Sequence, residues 1–212
     1  MFKSLSKLFA GQSQETSATL PEVLGLRLGG SFTVDPLKLQ LAEPHLIIEG
    51  AAADHVIEAI GIVELDPQRR LVRYYTDDEA FLQIQLYDNQ VEEIVLWYFF
   101  DTRALGKEEW QPTLESQVAT GEYSLEEMRF QQFWTGQEPV VLTEQTHRPD
   151  GSVSETDQFC MAYTRDITSE HCTVELLLVS AEEKHNPISQ TFEHELVRST
   201  GFALNAIDIQ NN

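Results

Sequence analysis

The stretch RYYTDDEAFLQIQLYDNQVEEIVLWYFF, residues 73–100, carries the reading of the fold. It holds three strand-length runs rich in aromatic and β-branched residues, parted only by DDE and DNQ. In FLQIQLY the alternation is clean, with Leu82, Ile84 and Leu86 on one face and Gln83 and Gln85 on the other. IVLWYFF (94–100) is apolar on both faces, which predicts a central strand covered on both sides. HVIEAIGIVEL (55–65) leads in through DPQRR, and connections this short favour an antiparallel meander over parallel strands joined by helices.

Outward from this stretch, PVVLTEQTH (139–147) and VSETDQFCMAYTRD (153–166) flank RPDGS, a Pro-Asp-Gly hairpin turn. TVELLLVSAEE (173–183) pairs back as a further strand, and MRFQQFW (128–134) reads as another. Asp35 as N-cap and Pro36 at the first helical position open a short helix over residues 35–43. Residues 106–123 read as helix or loop, limited by Pro112, and residues 189–210 as either a short helix or a strand. The expected fold is therefore α+β: a mainly antiparallel sheet, meander plus hairpins, with a few short helices. Residues 20–212 form one domain in this reading.

A chain of 212 residues, 42% hydrophobic and 23% charged, is an ordinary soluble composition with room for a sizeable core. Its 14 Lys and Arg face 35 Asp and Glu, for a formal net charge of -21. Such a surface repels phosphate backbones and excludes nucleic acid as a partner class. Protein partners, cationic surfaces and divalent metals fit it better. No apolar run reaches the roughly 18 residues of a membrane-spanning helix, and Lys7 interrupts the N-terminal apolar stretch, so a cytoplasmic chain without a signal peptide is expected.

Residues 1–19 stand apart as a short amphipathic segment and a polar linker, GQSQETSAT. Phe2, Leu5, Leu8 and Phe9 follow helical spacing, with Lys3 and Lys7 off that stripe. This basic segment in an acidic chain is a candidate docking segment for a protein partner, or for weak peripheral contact with the inner membrane. The two cysteines, Cys160 and Cys172, have no C-x-x-C spacing. A hairpin folded about residue 168 sets Cys160 opposite residue 176, about 13 Å out of register with Cys172, so buried free thiols are expected.

Candidate site residues come from the strand ends. In an up-and-down meander, Asp54 and His55, then Asp77, Asp78 and Glu79, then Asp101 and Arg103, share one end of the sheet. With strands about 4.8 Å apart these groups gather within roughly 15 Å, an acidic rim able to take a divalent cation or supply a general base. The plainer reading is a solvated rim in which Arg103 or Arg73 pairs an aspartate and Asp77 and Asp78 shape the turn. Neither a G-x-S-x-G elbow nor H-E-x-x-H spacing occurs, and no cofactor is expected.

LPEVLGLRLGGSF (20–32), RYYTDDEAFLQIQ (73–85), LWYFFDTR (96–103) and TDQFCMAYTRD (156–166), in that order, resemble an uncharacterised bacterial family, the YjfK-like proteins. The resemblance spans about residues 20 to 180 and brings no established catalytic residues. It implies a gene context beside a phage-shock-like membrane-stress protein and small membrane proteins. The expected function is a non-enzymatic cytoplasmic accessory or interaction protein serving such a system. The alternative is a metal-dependent binding module or enzyme using the acidic rim.

Overall fold

The computed structural model describes residues 20–134, 136, 138–167, 172–186 and 189–212. The candidate docking segment, Phe2 to Phe9, lies outside them. In chain order the elements are β1 (Ser31–Val34), α1 (Pro36–Ala42), β2 (Asp54–Glu64), β3 (Arg69–Thr76), β4 (Ala80–Tyr87) and β5 (Gln90–Leu105). There follow α2 (Lys107–Thr113), β6 (Glu122–Leu125), β7 (Met128–Gln132), β8 (Val140–His147), β9 (Val153–Asp166), β10 (Val174–Asn186), β11 (Thr191–Ala203) and β12 (Ile209–Asn211). The expected α1 is present, and its N-cap Asp35 accepts a hydrogen bond from the Leu37 N–H at 2.9 Å.

The expected α+β sheet is overturned: the fold is mostly antiparallel β, with 59% of the described residues in strands, and eight strands close into a barrel. The ring runs β2-β3-β4-β5-β11-β10-β9-β8. It closes where Ile60–Val63 of β2 pair with Glu144–His147 of β8. The meander β2 to β5 and the hairpins of β8 to β11 are both present, but each supplies half of one wall. Two free edges that an open sheet would present to solvent are spent on each other, which removes the hazard of edge-to-edge association. Short strands extend the wall outside the ring, with β1 and β12 beyond β2 and β7 and β6 beyond β9. The C-terminal segment left open between helix and strand is strand β11, paired with β5 and β10.

Closure gives each strand an inner and an outer face. Leu82, Ile84 and Leu86 lie outside, packed with Ile60, Val72, Leu96 and Phe202 beneath β1 and α1. Met161, Tyr163, Leu177, Val179 and Leu196 form a second outer core under the α2 region, β6 and β7. Phe81, Val95 and Trp97 pack with Tyr75, Phe99, Leu176 and Leu178, joining strands that are not neighbours in the ring, so this cluster fills the lumen. β5 is thus covered on both faces, as its apolar run predicts.

The wall is closest at β11 and β5, where Gly201 lies opposite Trp97. A Cβ on Gly201 would stand 2.6 Å from the Leu96 carbonyl oxygen and 2.7 Å from the Trp97 ring. Backbone and a packed indole cannot both retreat. Gly201→Ala is therefore expected to lower the unfolding free energy by about 1–3 kcal/mol in a urea titration. An unchanged midpoint would contradict this approach of the two strands.

Candidate functional site: the barrel mouth

Gln83, read from sequence as the polar face of β4, points into the barrel. Its Oε1 accepts a hydrogen bond from Arg73 Nε at 2.9 Å. Arg73 is 2% exposed, and its Nη1 donates to Glu144 at 2.6 Å and to Gln158 at 2.7 Å. β3 is separated from β8 by β2 and from β9 by both, so these bonds join strands that are not neighbours in the ring and reach through the lumen. Glu144 also accepts from the Tyr75 hydroxyl at 2.8 Å and from Thr146 Oγ1 at 2.9 Å. The guanidinium carbon lies 5.5 Å from the centre of the Phe81 ring. Burial works against the Arg73 charge, but Glu144 beside it more than compensates, and the guanidinium holds its proton more tightly than in water.

Room for Glu144 comes from Gly61 on the facing strand. A Cβ there would lie 2.4 Å from Glu144 Oε1 and 3.0 Å from the Tyr75 ring. The missing side chain in HVIEAIGIVEL thus makes the space in which a buried carboxylate sits.

Above this layer the lumen opens into a cavity of about 470 Å³. Glu58, Tyr75, Thr76, Phe99, Glu144, Thr146, Arg148, Thr156, Gln158, Glu182, Lys184, Glu193 and Glu195 are among its lining residues. Gln158 links floor to mouth, donating from Nε2 to Glu182 at 3.2 Å. Burial, with Glu144 adding repulsion, pushes the Glu182 carboxyl up to about 7 against the opposing pull of Arg73. Burial also raises the Tyr75 hydroxyl well above its ordinary value.

The residues named from the strand ends are partly gathered at this same end. Val56 N–H donates to Asp77 at 2.9 Å, and Ala52 N–H to Asp78 at 3.3 Å. Asp54 accepts from Thr33 Oγ1 at 2.6 Å, and Glu79 takes a left-handed backbone at φ 49°. His55 is fully buried, stacked on Phe32 at 4.9 Å, and burial lowers its pKa. Asp101 and Arg103 are drawn elsewhere. Arg198 of β11 grips Asp101 through both carboxylate oxygens, and Arg103 bonds Glu109 at 3.0 Å and Gln117 at 3.2 Å. Among the described residues, no group of three or more His, Cys, Asp or Glu is arranged to hold a metal ion.

The family model for Protein of unknown function (DUF2491) matches residues 1–210. The chain belongs to this family. It is also 28% identical over 196 residues to "Uncharacterized protein YjfK" of Escherichia coli (strain K12), covering 87% of each chain. No solved structure matches. In this DUF2491 chain no described helix is long and apolar enough to cross a membrane.

Sequence reading missed Glu144, Gln158, Glu182 and Lys184, and it gave Arg73 an aspartate of the rim as partner where the structure gives it Glu144. The available signal was a charge in mid-strand on the face opposite Val72 and Tyr74, which makes sense only if that face meets other polar groups. The cysteines are free and buried as expected, but in a different register. Asp166 pairs with Val174, so Cys160 faces Ser180 rather than residue 176, and its thiol donates to Ser180 Oγ at 3.3 Å.

Breaking the lumen pair strands a buried charge, so Glu144→Leu is expected to cost about 3–5 kcal/mol. Arg73→Met/Glu144→Leu should cost much less than the sum of the two single substitutions, as a double-mutant cycle in urea will show. For Glu182 the folded pKa lies above the ordinary 4.5, so its stabilising contribution is complete below pH 4.5 and is lost as pH rises to about 7. Glu182→Gln should remove that slope from the pH profile of unfolding free energy. A wild-type slope that persists in the variant would place the titrating group elsewhere.

Proposed function

We propose that the protein is a non-enzymatic accessory protein that works by binding, with the barrel mouth holding a small polar ligand of net positive charge. The observation that carries this reading is the charge count of the mouth. Glu58, Glu182, Glu193 and Glu195 face Lys184 and Arg148, while Arg73 is already neutralised by Glu144. Eight-stranded barrels have an interior sized either for side chains alone or for one small ligand. Here the aromatic cluster packs one part of the lumen and the charged end stays open. The floor is held by buried hydrogen bonds before any ligand arrives, so little ordering entropy is lost on binding. The gene context implied by the YjfK-like resemblance supports a cytoplasmic setting beside a membrane-associated stress system.

The test is a thermal-shift series with putrescine, lysine, glutamate and glucose. A ligand that binds only the folded state raises the melting temperature with concentration. Putrescine and lysine are expected to raise it, glutamate is not, and Glu182→Gln should reduce the shift. No shift from any cationic compound, or an equal shift from glutamate, would sink the reading.

A further inference from the structure

A second cavity of about 270 Å³ lies at the same end, outside the lip formed by the β3–β4 turn. Residues 47–51 line one side of it, and Asp78, Glu79, Tyr98, Phe99 and Phe100 the other. Phe99 lines both cavities, and its N–H is fixed to the Glu79 carbonyl at 2.9 Å, so the acidic turn is the wall between them. Tyr98 is 5% exposed, and its hydroxyl has no hydrogen-bond partner among the described residues. Behind it stands His55, ring centres 6.4 Å apart. Buried hydroxyls in folded proteins are nearly always bonded, and one left unpaired beside a cavity marks a place where a ligand group completes the set.

The surroundings specify that group. Among the described residues, the Asp78 carboxylate takes one hydrogen bond, from Ala52 N–H at 3.3 Å. Asp78 and Glu43 both act electrostatically on the Tyr98 hydroxyl, which burial already holds protonated. Glu49 and Glu79 add acidity to the lining, and Phe99 and Phe100 supply apolar surface. A cation with N–H donors satisfies all of this, bonding the carboxylate and the phenol oxygen while its stem lies on the rings.

We propose that this lip cavity binds a primary alkylammonium group. The assignment is independent of the ligand in the barrel mouth, because it uses Asp78 and Tyr98, which do not line that cavity. A primary ammonium is preferred to a quaternary one because only the former can donate to Asp78 and Tyr98.

Ligand-observed NMR with propylammonium chloride, against tetramethylammonium chloride and sodium propionate, reads this directly. Propylammonium should show saturable binding, and Asp78→Asn and Tyr98→Phe should each weaken it about tenfold or more. Tyr98→Phe should leave the melting temperature of the free protein unchanged or raise it, because the hydroxyl it removes has no partner. Equal binding of tetramethylammonium, or undiminished affinity in Tyr98→Phe, overturns the proposal. So does a Tyr98→Phe variant that loses stability but binds propylammonium as before.

Discussion

The bond from Arg73 to Glu144 across the barrel lumen constrains everything built around it. Two charges withdrawn from water need partners for every remaining donor and lone pair, or the desolvation cost exceeds the Coulomb gain. The chain meets this with Gln83, Gln158, Tyr75 and Thr146, each from a strand wall. Gly61 is the steric counterpart, since any side chain there would occupy the place of the carboxylate. The pair also touches both parts of the interior: the guanidinium lies over Phe81 of the aromatic cluster, and Glu144 lines the cavity.

The two outer cores explain why the barrel can carry such an interior. Most of the clustered buried apolar side chains lie outside the ring, under β1 and α1 on one side and under the α2 region with β6 and β7 on the other. Hydrophobic burial on this scale stabilises the wall without relying on the lumen. The interior is then free to be polar at one end. The excess of acids in the mouth agrees in sign with the charge of the whole chain, so the field inside and the field outside both favour cations.

Most elements were readable from sequence, while the C-terminal segment stayed open between helix and strand. Each run from HVIEAIGIVEL to LWYFF became a strand, the Pro-Asp-Gly turn became the β8–β9 hairpin, and Asp35 capped α1. The acidic turn at Asp77–Glu79 takes hydrogen bonds from the backbone of Ala52 and Val56, on either side of Asp54 and His55. Asp101 and Arg103 escaped that reasoning because β5 runs on past the end of β4 and pairs there with β11, carrying Asp101 to Arg198. The buried charges escaped for a different reason. In a strand an alternating polar residue such as Gln83 looks the same whether it faces solvent or a lumen, and the mid-strand charge of Arg73 was the hint that this face meets other polar groups.

Local sequence alone determined most of the strands before the C-terminal segment, several of the turns and that the chain is acidic, because alternation, turn chemistry and charge are properties of neighbouring residues. Closure was decided only in three dimensions. It depends on β8 finding β2 across some eighty residues, with Ile60 opposite His147, a pairing that no local pattern encodes. That contact turned one polar strand face into an interior, set Arg73 against Glu144, and made a cavity of the barrel mouth. The turn at Asp77–Glu79 was written in the chain, whereas its place as a lip between two cavities came from the barrel.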